Sequence, residues 1–162
     1  MCLARFNTVS ISASSSTTCH IMSEELAKAC VDVMLKGDAC SRALGMRVVE
    51  AGERRSVVTM TVRADMVNGH NICHGGMIFS LADSAFAFAC NSENLSAVAA
   101  GAQIDFLNPA KLGEELTATA RAVHQAKRRG IYEVKVVNQD GATVALLKGQ
   151  SHRIGMTLVP GS

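Results

Sequence analysis

The sequence predicts an α+β domain in which one long helix is enclosed by an antiparallel sheet of five or six strands. Three observations carry that expectation. Residues 77–90 are helix formers and almost wholly apolar, long enough for about four turns, and a helix apolar on every face is normally buried. From residue 97 onward the chain reads as strands punctuated by turn residues: Asn108-Pro109, Lys127-Arg128-Arg129-Gly130 and Asp140-Gly141. Between these regimes lies Asn68-Gly69-His70-Asn71-Ile72-Cys73-His74-Gly75-Gly76, too polar and glycine-rich for regular structure, opening directly into the helix.

Taken in order, residues 1–22 contain no acid and one Arg, with a serine- and threonine-rich run over 10–18. They lack the pattern of a core and are expected to be a disordered extension ahead of a single domain over 23–162. Ser23 is a candidate helix cap, with Glu24 and Glu25 in the first turn. Leu26, Ala29, Cys30, Val33 and Met34 follow helical spacing, so an amphipathic helix is expected over 23–36, ended by Gly37. A short helix over 39–44 stops at Gly45, and a short strand over 46–50 follows.

After a polar turn at 52–55, residues 56–62 have the β-branched content of a strand. The helix opening at Gly75-Gly76 is expected to end near 91–94. A strand over 97–107 sets Ile104 and Phe106 against Gln103 and Asp105. Residues 115–125 alternate Leu116, Ala118, Ala120 and Ala122 with Thr117, Thr119 and Arg121. Hairpins then lead into strands over 131–138 and 143–154, so antiparallel pairing is implied.

The 162 residues suffice for one domain with a sizeable core. A formal net charge of +2 is too small to suggest general nucleic-acid binding, although local basic clusters still matter. No apolar run reaches the roughly 18 residues of a membrane span. None of the six cysteines (Cys2, Cys19, Cys30, Cys40, Cys73, Cys90) forms a CxxC pair, which points to free thiols in a reducing cytoplasm.

The candidate chemistry gathers on the central helix. Its N-terminus presents free backbone N–H groups and the positive end of the helix dipole at Gly75 and Gly76. Asp83 follows Gly76 by about two turns, so both project from similar sides. An anion-stabilising helix end and a desolvated carboxylate are the parts needed to hydrolyse an ester-like bond. The competing readings are a structurally paired Asp83 and a glycine pair serving only close packing. His70, Cys73 and His74 are near enough in sequence to suggest a metal site or a thiol nucleophile, but no second ligand pair accompanies them, so they are read as loop residues. No cofactor or metal is expected. Lys127, Arg128 and Arg129 are either a solvated turn or a phosphate-binding cluster.

Asn68-Gly69-His70, His74-Gly75-Gly76, Phe79-Ser80-Leu81-Ala82-Asp83 and Ala89-Cys90-Asn91-Ser92 together resemble the signature of hotdog-fold thioesterases, PaaI type, the acyl-CoA thioesterases of phenylacetic acid degradation. Ile104-Asp105-Phe106-Leu107, residues 116–120 and Ser151-His152-Arg153-Ile154-Gly155 extend the likeness over about 24–155, and the serine-rich extension has no counterpart in it. The resemblance implies a sheet wrapped around a central helix, two subunits joined edge to edge, and a dimer of such dimers. It places active sites between subunits, with Asp83 as catalytic carboxylate and the Gly75 and Gly76 backbone polarising the thioester carbonyl. His74 and Asn68 would shape the loop. The implied substrate is a small aryl-acetyl or hydroxylated phenylacetyl acyl-CoA; a non-catalytic acyl-CoA-binding hotdog protein or a hotdog dehydratase is the alternative. A dehydratase needs a paired acid and base, whereas the helix carries one carboxylate.

Overall fold

The structure, a computed structural model, describes residues 14–160, with side chains described from Met22 onward. The expected disordered extension therefore lies largely outside the described residues. Where it is described, the chain is helical: α1 runs Ser14–Gly37 instead of starting at Ser23. Its docking stripe is Ala27, Cys30 and Val31, with Met34 half-buried, while Val33 faces out. The helix is thus rolled by about one position from the face that Leu26, Ala29 and Val33 suggest.

Asp38 caps the short helix α2 (Ala39–Ala43) by accepting from the Ser41 N–H at 2.9 Å. Strands β1 (Arg47–Gly52) and β2 (Arg55–Thr61) form a hairpin, and a 3-10 turn (Ala64–Met66) leads to the glycine-rich loop. The central helix α3 spans Gly75–Cys90. Strands β3 (Ala97–Phe106), β4 (Glu115–Gln125), β5 (Arg129–Asn138) and β6 (Thr143–Arg153) complete one six-stranded antiparallel sheet, ordered β1-β2-β4-β5-β6-β3.

The β4–β5 and β5–β6 hairpins lie where the turn residues point. β3 does not join β4 in a hairpin; it crosses to the far edge and pairs with β6 alone. Its residues are therefore mostly exposed, and Phe106, on the same strand face as Ile104, is 53% exposed. β5 starts at Arg129, inside the expected turn, because Arg129 and Gly130 already pair with His152 and Ser151. Gly130 is a close-approach glycine: a Cβ there would lie 2.6 Å from Ser151 Oγ and 2.7 Å from the Tyr132 ring.

The sheet curls around α3. The inward residues of β4 (Leu116, Ala118, Ala120) are small enough for the helix to approach. Those of β5 (Tyr132, Val134, Val136) and of β6 (Val144, Ala145, Leu147) close the core. Phe86 lies over Gly149, where a Cβ would sit 3.0 Å from the ring, and meets Tyr132 edge-on at 5.4 Å between centroids. Burying Leu81, Phe86 and Phe88 contributes roughly 1.5–3 kcal/mol each, so one costly polar group on the same helix is affordable.

Candidate active site

The loop before α3 is closed by Asn68. Its side-chain oxygen accepts from the His70 N–H at 2.9 Å and the Ile72 N–H at 3.4 Å, while Asn71 turns the chain with φ 59°. Asparagine suits both places, since its side chain bonds backbone two residues on and the residue tolerates the left-handed conformation that the turn needs. Val67 bridges Cys73, and His74 N–H donates to the Met66 carbonyl at 2.8 Å, so the loop delivers His74 to the N-cap of α3.

His74 then uses its ring: Nδ1 accepts from the Gly76 N–H at 2.9 Å. Met77 and Ile78 N–H groups bond to the His74 carbonyl, which leaves the Gly75 N–H without a hydrogen-bond partner among the described residues. The helix end expected to offer two glycine N–H groups thus offers that of Gly75, with Gly76 engaged by the cap. Gly76 has no room for a side chain, since a Cβ would sit 3.0 Å from His74 Nδ1.

The Phe106 ring lies over Gly75, 3.1 Å from where a Cβ would be. A cleft of about 490 Å³ opens here, lined by Asn68, Ile72, Cys73, Ile78, Phe106 and Pro109 among others. Phe106 and Pro109 were not singled out as site residues from sequence; the pattern Asp105-Phe106-Leu107-Asn108-Pro109 was the available signal. Burial pushes the Cys73 thiol up to about 11, away from the thiolate that a nucleophile needs. Among the described residues no three His, Cys, Asp or Glu side chains cluster as metal ligands do.

Asp83 stands about two turns, or ~10 Å, further along α3. The helix is not buried all round. Gly76 is exposed and Ser80, Asp83 and Ala87 half-buried, and their spacing of four, three and four forms one open stripe. Ser80 Oγ turns back onto the Gly76 carbonyl at 2.8 Å, but no described residue hydrogen-bonds the Asp83 carboxylate. Burial, with no cation to offset it, pushes the Asp83 carboxyl up from its ordinary value. Within its own chain Asp83 is thus half-buried, unpaired among the described residues, and raised in proton affinity.

The basic cluster occupies the other end. Lys127 and Arg128, with Leu95, His152, Arg153, Ile154 and Gly155, line a cleft of about 630 Å³ beyond the C-terminus of α3. Arg129 is exposed on β5 and outside that lining. Arg153, assigned no role from sequence, pairs with Glu93, which also takes the Arg54 guanidinium at 2.7 Å. One chain therefore does not bring Gly75, Asp83 and the cations to a single point.

This architecture has relatives. Residues 70–145 match the thioesterase superfamily model. The chain is 55% identical over 125 residues to the acyl-coenzyme A thioesterase PaaI of Escherichia coli, covering 77% of this chain and 89% of that one. The solved E. coli PaaI superposes with a TM-score of 0.82 at 52% identity, covering 83% of this chain and 97% of that one. A Streptococcus mutans protein solved bound to acetyl-CoA superposes with a TM-score of 0.67 at 28% identity, covering 69% and 90%. A six-stranded antiparallel sheet curled around α3, the capped glycine pair and these likenesses agree: the chain belongs to the thioesterase superfamily as a hotdog-fold acyl-coenzyme A thioesterase of the PaaI type, a thioester hydrolase.

Proposed function

We propose that the chain hydrolyses the thioester of a small aryl-acetyl coenzyme A, in the cytoplasm, from a site completed by a second copy. The observation that carries this is Asp83: a half-buried carboxylate without a hydrogen-bond partner in its own chain, on the open stripe of α3 and beyond reach of its own Gly75 N–H. A neighbouring α3, packed along that stripe, would bring the partner's Gly75 to this Asp83. The exposed edge of β3 gives a second copy a strand to pair with, and a dimer of such dimers is the assembly we assign. The aryl-acetyl group is supported by the origin of the E. coli relative in the phenylacetic acid degradation operon.

The Gly75 N–H, at the positive end of the helix dipole, donates to the thioester carbonyl oxygen and stabilises the negative charge that develops there. Asp83 takes a proton from a water whose oxygen attacks the carbonyl carbon. The tetrahedral intermediate collapses, the C–S bond breaks, and the coenzyme A thiolate takes back the proton from Asp83. Alternatively the carboxylate attacks directly and water opens the mixed anhydride. Because the leaving thiol has a reference pKa of about 8.5, a strong acid is not required. His74 and Asn68 hold the loop, and Lys127, Arg128 and Arg129 meet the phosphates of coenzyme A.

A panel of acyl-CoAs read by thiol release tests this. Phenylacetyl-CoA and its hydroxylated forms should give the highest kcat/KM. Preferred turnover of acetyl-CoA or of long-chain acyl-CoA would overturn the acyl assignment, and binding without thiol release would make this an acyl-CoA-binding protein. In a single turnover in ¹⁸O-water, label in Asp83 with none in the acid identifies an anhydride opened at the Asp83 carboxyl carbon, whereas trapping of an acylated Asp83 identifies one opened at the acyl carbon. Label in the acid with no acylated Asp83 fits general-base attack.

A further inference from the structure

Apolar packing is non-directional, so a helix in an apolar jacket is free to roll by small angles. Hydrogen bonds are directional and fix such a roll. α3 meets its jacket through the apolar Leu81, Ala82, Phe86 and Ala89, yet two completely buried serines from other elements break the pattern. Ser56 of β2 donates its Oγ to the Ala85 carbonyl at 2.6 Å. Ser41 of α2 lies 2.9 Å from Ser84 Oγ. Ser41 Oγ donates to Asp38 Oδ2 at 2.5 Å, so its proton is committed and Ser84 must donate to Ser41. Asp38 also caps α2 through the Ser41 N–H, which makes the acceptor end of this chain fixed.

Both ties land on the two residues that follow Asp83, one from the sheet and one from α2. Each replaces apolar contact with a polar group that costs free energy unless bonded, a poor choice if stability alone were at stake. Rolling a helix by about 10° moves a carboxylate ~6 Å from its axis by about 1 Å, and a displacement of that size slows a positioned reaction by up to ~100-fold.

We infer that Ser41, Ser56 and Ser84 are positioning residues that set the roll of α3 and so aim the Asp83 carboxylate; this rests on the catalytic reading of Asp83. They touch neither substrate nor reacting atoms. Losing either tie leaves the helix packed and the fold intact but lets the carboxylate wander from its line of attack.

The test compares Ser56→Ala, Ser41→Ala and Ser84→Ala with Asp83→Asn, each as the full chain. Ser84 is only half-buried, so its truncation removes less from the core than that of Ser41 or Ser56 and keeps the test open even where the buried variants fold poorly. For each serine variant kcat should fall by about tenfold with KM for acyl-CoA unchanged. Ser84→Thr, which keeps the hydroxyl, should restore most of the loss. Wild-type kcat in the serine variants beside a dead Asp83→Asn would overturn the positioning role alone, as would a kcat loss matched by loss of folded protein. Wild-type kcat in Asp83→Asn would overturn the catalytic reading and the positioning role together.

Discussion

Asp83 is a carboxylate whose proton affinity is raised by burial, with two consequences of opposite benefit. In the proposed reaction Asp83 acts ionised, and that form is lost as pH falls through the raised folded value, so the acid limb of kcat/KM against pH should lie above the ordinary carboxylate range. In the same window the folded state binds the proton more tightly than the unfolded chain, so stability attributable to Asp83 falls as pH rises. An acid limb at or below ordinary carboxylate values would show that another group controls the profile. The N-cap is a second residue-scale feature. His74→Ala removes the acceptor of the Gly76 N–H and should cost about 1 kcal/mol in urea unfolding, with the midpoint lowered and the slope unchanged. Much at this scale was legible: a lone acid in an apolar run, and glycines opening a helix, both stand out in the sequence. The engagement of Gly76 by His74 did not, because which ring nitrogen turns inward depends on the loop built by Asn68.

Element by element, α3 is tied down at its far end by charge. Glu93 accepts bonds from Arg54, the main reason its carboxyl is held below the usual range, and is helped by Arg153. Such a depressed carboxylate contributes stability above its unfolded pKa that is lost as pH falls through the folded value. Glu93→Gln should therefore destabilise the fold at neutral pH by about 1–3 kcal/mol and flatten the acid loss of stability, followed by thermal melts across pH. An unchanged acid profile would assign that loss to other carboxylates. Gly149→Ala drives a Cβ to 3.0 Å from the Phe86 ring in the core and should cost about 1–3 kcal/mol by overpacking. Strands with alternating patterns, such as β4, were readable to the residue. The open stripe of α3 was hidden because Gly76 and Ala87 are as apolar as a buried face. Gly130 was mistaken for a turn because a glycine marks equally a sharp bend and a tight contact.

For the whole molecule, the position of β3 matters most. Its crossing to the edge beside β6 is a long-range pairing that no local turn signals, so the sequence showed the strands and not their order. An exposed ten-residue edge is a template for association. Light scattering should give at least a dimer, with turnover lost on dilution to monomer; a monomer that still hydrolyses acyl-CoA would contradict a shared site. Charge reversal of Lys127, Arg128 and Arg129 to Glu should raise KM for acyl-CoA with kcat little changed, and added salt should reproduce part of that loss. Unchanged KM would make the cluster a solvated turn. The most direct measurement is kcat and melting temperature on one preparation of Asp83→Asn. The carboxylate reading predicts kcat down by roughly 10²–10⁴-fold, KM nearly unchanged, and a melting temperature that holds or rises because a desolvated ion has been removed. A near-wild-type kcat in a destabilised protein would contradict it.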